Sequence, residues 1–176
     1  MSKILYIAEG EIEERFIRFL AQNDFIQAGR FRKFNLMQNR LKMTNAILST
    51  KFDRIYCIID TDVLTSGNIS NLIFNLKQLK SICPREIFLL IQCENFEEEL
   101  KFLFNCTDLG KFFNLKYQSV KDLKIYLTQK IDYKNHITKS NLIRYCTRPE
   151  KFVEALSKFN RDKLKLQIVS VEKCIV

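Results

Sequence analysis

The feature that most constrains the fold is a repeated alternation of short apolar runs and segments with helical spacing. Strand-like runs rich in β-branched and aromatic residues are Lys3–Ala8, Arg30–Leu36, Phe52–Asp60 and Glu86–Gln92. Apolar residues recur at helical spacing between them, in Glu11–Asn23, Leu41–Leu48 and Ser66–Lys80. Strands alternating with helices predict an α/β fold in which helices cover both faces of a parallel sheet.

The pattern changes after residue 93, where helical spacing predominates. Predicted helices are Phe96–Phe104, Ser119–Lys130, Thr138–Cys146 and Pro149–Asn160, and one further strand is predicted within Lys163–Val171. We therefore expect a Rossmann-like core of about four strands over residues 1–105. Residues 106–176 are expected to form a mainly helical extension packed on that core, or to belong to one domain with it.

Acidic residues stand at the predicted carboxyl ends of three strands. Glu9 follows the first strand, Asp60 and Asp62 follow the strand that begins at Phe52, and Glu94 and Glu97 follow the strand that ends near Gln92. Ligands of open α/β sheets bind beyond these strand ends, so neighbouring strands would bring the carboxylates to one edge. Clustered carboxylates repel each other, and a divalent cation removes that penalty.

The spacing of the acids suits a Mg²⁺ or Mn²⁺ site. An extended backbone directs Asp60 and Asp62 to the same side, and Glu13 lies one helical turn beyond Glu9. We expect Gly10 to permit a tight turn and the approach of a phosphate. One or two such ions, held by oxygen ligands, support phosphodiester cleavage.

Except for Glu9, which interrupts an apolar strand immediately before Gly10, the acids also have structural explanations. Glu13 lies in a first helical turn, where the helix dipole favours acids. Asp60 or Asp62 can cap the next helix. Glu97, Glu98 and Glu99 can form an ordinary solvated helix face.

The charge balance favours an anionic partner. Lys and Arg number 29 against 20 Asp and Glu, a net charge of +9, and nucleic acid is the commonest partner for such a chain. Arg30, Arg32 and Lys33 alternate with aromatic residues, which suits phosphate contact and base stacking but also an amphipathic strand. A second basic patch is predicted on the later helices, from Lys139, Arg144, Arg148 and Lys151.

The remaining composition favours a cytoplasmic protein. The six cysteines form no CxxC pair and lie largely in apolar runs, as reduced core thiols do. The apolar runs are too short to span a membrane, and the first residues lack the layout of a signal peptide.

Two motifs resemble the Toprim domain of topoisomerases, bacterial primases and the overcoming-lysogenization-defect nucleases. The first is the Glu9-Gly10 pair after an apolar strand, and the second is Asp60-Thr61-Asp62 after a later strand. Within that superfamily the chain looks most like the RloB-type proteins of bacterial defence loci. That likeness adds Glu13-x-x-Phe16 and the Phe96-Glu97 pair that opens an aromatic-rich helix, and it covers residues 3–104 well.

The resemblance implies a metal-dependent endonuclease active in defence against phage or plasmids. By it, Glu9, Glu13, Asp60, Asp62 and Glu97 are metal ligands for Mg²⁺ or Mn²⁺. Related nucleases also use a lysine to stabilise charge on the cleaved phosphate, and Lys134 and Lys139 are the candidates here, with Lys139 preferred. Val63 replaces an acid that is frequent in RloB-type proteins, and the chain has no Trp.

Two other functions stay open. Small Toprim proteins include a ribonuclease that processes structured RNA, although that group usually has Pro where this chain has Thr61. The chain can alternatively be a non-catalytic module that binds nucleic acid or a partner. RloB-type proteins resemble the nuclease half of systems that pair with an ATPase, and this sequence has no GxxxxGK[ST] loop, so any use of ATP would belong to a partner.

Overall fold

Five parallel strands form the centre of the molecule. The computed structural model describes residues 3–42, 47, 50–62, 64–84, 86–117, 119–129, 131–157, 167–169 and 173–175. The strands are β1 (Ile4–Ala8), β2 (Arg30–Lys33), β3 (Arg54–Asp60), β4 (Glu86–Gln92) and β5 (Gln167–Ile168), and they lie in the order β2-β1-β3-β4-β5. Every neighbouring pair is parallel, which confirms the predicted α/β class.

Seven helices in the described residues surround this sheet. They are α1 (Glu11–Gln22), α2 (Ser66–Ile82), α3 (Phe96–Phe104), α4 (Leu109–Phe112), α5 (Val120–Gln129), α6 (Lys139–Leu142) and α7 (Glu150–Ser157). No helix among the described residues is long and apolar enough to cross a lipid bilayer. All six cysteines are free thiols, and four of them are buried.

Each face of the sheet has its own hydrophobic core, because successive strand residues point to opposite sides. Leu5, Ile55 and Leu89 face the α2 side, where Leu72 and Leu76 meet them. The other face carries Tyr6 and Tyr56, whose rings stack 5.2 Å apart, and Phe31 and Phe88 extend the stack at either end. The near-continuous burial of β1, β3 and β4 is typical of a parallel sheet covered on both sides.

The later helices share the second core with the strands. Phe16 of α1 contacts the rings of Phe96, Tyr133 and Tyr145 at centroid distances of 5.1–5.4 Å. The fully buried Glu99 accepts a hydrogen bond from the amide of Cys146 at 2.7 Å. These contacts fix α3, and with it the acids at its start, between the sheet and the C-terminal part of the chain.

Several predicted elements differ in extent from the observed ones. β2 ends at Lys33, since the Asn35 side chain accepts hydrogen bonds from the Met37 and Gln38 amides and turns the chain. The helix predicted over Thr138–Cys146 stops at Leu142, and a left-handed Cys146 follows. Most of the predicted helix Leu41–Leu48 lies outside the described residues. So do residues 158–160, at the end of the predicted helix Pro149–Asn160, and residues 163–166, in the predicted strand region Lys163–Val171.

Candidate metal centre

The parallel order of β1, β3 and β4 brings the acidic motifs to one edge of the sheet. Glu9 follows β1 directly, and Asp60 is the last residue of β3, opposite Gln92 of β4. Thr61 links the end of β3 to the end of β4 by hydrogen bonds. Its backbone amide donates to the Glu94 carbonyl at 2.9 Å, and its hydroxyl accepts from the Glu94 amide at 2.7 Å.

Glu13, in the first turn of α1, lies at the same edge of the sheet. Its side chain is only 7% exposed, and it lies against Gly10, the N-cap residue. A Cβ atom at position 10 would overlap Oε2 of Glu13. The chain bends at Gly10 between β1 and α1, as predicted, but with an extended backbone (φ −120°, ψ 179°) that any residue can adopt. Glycine at this position leaves room for the carboxylate of Glu13. The approach of a phosphate to Gly10 remains a prediction.

The charges of the other four predicted metal ligands all act on Asp60. Burial raises the pKa of Asp60 to about 9, and the neighbouring charges of Glu13, Glu9, Asp62 and Glu97 add to the effect. Asp62 itself is exposed, at the rim of this group. We call these five residues the acid cluster.

Burial also raises the pKa values of Glu9 and Glu13. Burial raises the pKa of Glu9 to about 7, while hydrogen bonds from the Asp60 backbone and the Asn35 side chain partly offset that rise. Burial is also the main cause of the raised pKa of Glu13, and the charge of Glu97 adds to it. Shifts of this kind are concentrated at functional sites.

Three buried oxygens of the acid cluster have no hydrogen-bond donor among the described residues. They are Oε2 of Glu13, Oδ1 of Asp60 and Oε1 of Glu97. Glu99 provides the contrast within α3, since its carboxylate is 0% exposed and accepts from two backbone amides and from Arg148. A carboxylate that only stabilises the fold is expected to be satisfied in this way. The oxygens of Glu13 and Asp60 lack such partners, and Oε1 of Glu97 has only an ion pair with Lys124 at 3.4 Å, so a further cation would stabilise all three.

The donor set suits a hard divalent cation, because every unsatisfied atom is a carboxylate oxygen. In the part of the chain that the structure describes, no group of three or more His, Cys, Asp or Glu side chains forms a ready-made metal site. Side chains of the acid cluster would therefore have to turn toward a bound ion.

The structure adds a lysine that the sequence analysis did not single out. Nζ of Lys124, in α5, lies 3.4 Å from Oε1 of Glu97, and its charge lowers the pKa of Glu13. Lys124 is therefore a built-in cation beside the acid cluster. Periodicity assigns Lys124 to the exposed side of a helix, and nothing in its sequence neighbourhood connects α5 to the strand ends.

Replacing Lys124 by Met is expected to tighten Mn²⁺ binding a few-fold at pH 8, because it removes a positive charge that opposes the ion. Calorimetric titration would measure the change. Lys121→Met, also in α5, is the control and should leave the affinity unchanged. Weaker binding in Lys124→Met than in Lys121→Met would contradict this role.

The other acids at the strand ends have structural roles. The side chain of Glu94 pairs with Lys151 at 2.9 Å, and Glu98 pairs with Lys101 at 2.6 Å. Glu99 is buried, so the prediction of a solvated face fails for it. Thr65, rather than Asp60 or Asp62, caps α2.

The basic residues of β2 lie on the exposed edge of the sheet. The three basic residues Arg30, Arg32 and Lys33 are exposed, while Phe31 stacks on Tyr6. This is the amphipathic strand that the sequence analysis gave as the alternative. Lys33 pairs in register with Ala8, so it lies closest to Glu9. It lines a cleft of about 470 Å³ together with Arg15 and Arg18 of α1. The predicted contact of β2 with nucleic acid remains a prediction.

The remaining candidates lie on the C-terminal part of the chain. Lys139 is exposed at the start of α6, and its catalytic role remains a prediction. His136 packs against the rings of Phe112 and Phe113. Arg144 and Arg148 stack over the Phe102 ring, at 4.6 and 3.7 Å from its centre.

The metal-free protein is expected to lose stability as the pH rises from about 5 to about 8. Unfolded Asp and Glu have pKa values of about 4, whereas the folded pKa is about 9 for Asp60 and about 7 for Glu9. The folded state therefore retains protons that the unfolded chain has released. The associated stability is full below about pH 4 and is lost as the pH rises through the folded values, with a slope of about 1.4 kcal/mol per pH unit for each carboxyl that is protonated only in the folded state.

Urea unfolding in EDTA across this pH range would measure that slope. Asp60→Asn cannot titrate at residue 60, so its stability should depend less on pH than that of the wild type. Equal slopes for the two proteins would contradict the assignment.

No family model matches this chain, and searches against curated proteins and solved structures returned no match.

Proposed function

We propose that this chain is a metal-dependent nuclease that hydrolyses phosphodiester bonds in nucleic acid, as the resemblance to the Toprim domain implies. The observation that carries the proposal is the group of three buried carboxylate oxygens without donors, on Glu13, Asp60 and Glu97. They lie at the edge of a parallel sheet where ligands of such folds bind, in a chain with a net charge of +9.

The acid cluster is the proposed binding site for Mg²⁺ or Mn²⁺. When bound, the ion neutralises the acids and stabilises charge on the reacting phosphate. Asn35 donates to Oε1 of Glu9 and so fixes the orientation of that carboxylate. In the hydrolysis, the oxygen of a water forms a bond to phosphorus and one P–O ester bond breaks, which gives a phosphate monoester and a free hydroxyl group.

Two lysines are candidates to stabilise charge on the phosphate. Lys139 is the one that the resemblance favours, and Lys124 is the one that lies beside Glu97. Lys33, at the end of β2 next to Glu9, is suited to contact a neighbouring phosphate of the strand.

The proposed setting is the bacterial cytoplasm, with DNA or RNA as substrate and defence against phage or plasmids as the role. An ATPase partner belongs to this proposal, by likeness to RloB-type systems. The basic surface supports an anionic polymer as the substrate.

Incubation of the purified protein with supercoiled plasmid and with a structured RNA tests the activity. We expect cleavage of at least one substrate with Mn²⁺ or Mg²⁺ and none in EDTA. Glu9→Gln should abolish the cleavage, whereas Asp24→Asn, an exposed position at the end of α1, should retain it. Cleavage by Glu9→Gln at the wild-type rate would overturn the proposal.

A second candidate is a non-catalytic module that binds nucleic acid. The contact of Lys124 with Glu97 favours it, because a lysine already offsets part of the negative charge. Calorimetric titration separates the two candidates. Binding of Mn²⁺ supports the nuclease, and a flat titration at millimolar Mn²⁺ supports the module.

A further inference from the structure

A second cleft, of about 390 Å³, lies along the outer side of α3. Its lining combines two cationic side chains, one acidic side chain that pairs with the lysine, an aromatic ring and small polar groups: Lys101, Arg148, Glu98, Phe102, Asn105, Cys106 and Thr107. A ring beside cations suits a ligand that carries both a planar group and a negative charge.

The guanidinium of Arg148 is held rigidly in this cleft. It lies over the Phe102 ring at 3.7 Å from the ring centre, and Nη2 donates to the buried Glu99 carboxylate at 3.3 Å. A planar group fixed in this way loses little entropy when a ligand binds.

Arg148 still lacks one acceptor. Its Nε is buried and has no hydrogen-bond partner among the described residues. The ammonium of Lys101 pairs with Glu98 and has three donors, so it can bind an anion as well. The Arg148 side chain is 33% exposed, so an anionic oxygen in the cleft can contact its accessible N–H groups and the ammonium of Lys101.

The cleft adjoins the carboxyl edge of the sheet that holds the acid cluster. Glu98, which lines the cleft, directly follows Glu97 of the acid cluster in the first turn of α3. The Glu94 amide, just before α3, donates to the Thr61 hydroxyl between the two aspartates. A polymer that lies across the acid cluster and continues along α3 therefore meets this cleft.

We propose that this cleft binds one unpaired nucleotide of the substrate, with its phosphate at Lys101 and Arg148 and its base against the Phe102–Arg148 stack. This inference rests on the proposed function and adds a substrate class, namely nucleic acid that is single-stranded beside the cut. A base in a duplex is stacked on its neighbours and cannot offer its face to a protein ring.

Fluorescence anisotropy in EDTA tests the cleft independently of the metal and of cleavage. The probes are a labelled single-stranded oligonucleotide, as DNA and as RNA, and a duplex of the same sequence. The cleft variants are Phe102→Leu and Arg148→Lys, the latter chosen to keep a positive charge beside Glu99.

Matched controls come from a second stack of the same kind, in which Arg40 lies over Phe74 at 5.0 Å. Phe74→Leu and Arg40→Lys make the same changes away from the cleft. Thermal melting establishes that all four variants are folded.

The wild type should bind the single strand more tightly than the duplex. Both cleft variants should weaken single-strand binding at least about fivefold, and the controls should not. Wild-type affinity in both cleft variants, or equal binding of single strand and duplex by the wild type, would overturn the inference. Mn²⁺ titration of the same variants should be unchanged, so a failure of metal binding counts against the proposed nuclease and not against the cleft.

Discussion

Asp60→Asn is expected to abolish metal-dependent cleavage while making the metal-free protein more stable. The pKa of Asp60 is raised to about 9, and Oδ1 lacks a donor, so its charge opposes folding unless a cation is present. Asparagine has nearly the same shape and carries no charge. We expect cleavage to fall by about a thousandfold and the unfolding free energy in EDTA at pH 8 to rise by about 2 kcal/mol.

Urea unfolding and cleavage assays measure these opposite changes in one variant. Asp24→Asn makes the same chemical change at an exposed site and should alter neither quantity. If Asp60→Asn is less stable than the wild type in EDTA, Asp60 is a structural residue and the metal assignment loses its main support.

Glu99→Gln is expected to have the largest effect on stability, a loss of about 3–5 kcal/mol. The carboxylate is fully buried and accepts hydrogen bonds from the Cys93 and Cys146 amides and from Arg148. A glutamine would turn an NH₂ group toward one of these donors and would leave Arg148 without its counter-ion.

Two neighbours in α3 provide controls for Glu99→Gln. Glu98→Gln removes only an exposed ion pair with Lys101, so it should cost less than about 1 kcal/mol. Glu97→Gln removes only an ion pair with the half-exposed Lys124, so it too should cost less than about 1 kcal/mol in the metal-free protein. Equal losses for Glu97→Gln and Glu99→Gln would contradict the division between an unsatisfied acid and a structural one.

The sequence predicted the sheet and the convergence of the acids for the same physical reason. Runs such as Arg54–Asp60 are too continuously apolar for a surface strand and are separated by helical segments, which favours parallel pairing. Parallel strands place their carboxyl ends at one edge, so the sequence alone predicts that Glu9 and Asp60 lie together.

The residues that the sequence missed depend on packing between distant elements. Lys124 reaches Glu97 only because α5 packs beside α1, and the burial of Glu99 depends on Cys146, 47 positions later. The strand predicted within Lys163–Val171 is observed as Gln167–Ile168, but its place beside β4 at the edge of the sheet could not be read from its own residues. Patterns within one element carry no information on such contacts.

The most direct test of a divalent-metal site is a crystal structure of the protein soaked in Mn²⁺, with the ion located by its anomalous scattering. We predict an anomalous peak in the acid cluster, with carboxylate oxygens of Asp60 and Glu9 at about 2 Å from the ion. The account would be contradicted if the crystal at saturating Mn²⁺ showed no anomalous peak between β1, β3 and α1, and if Oδ1 of Asp60 accepted a hydrogen bond from protein or water instead.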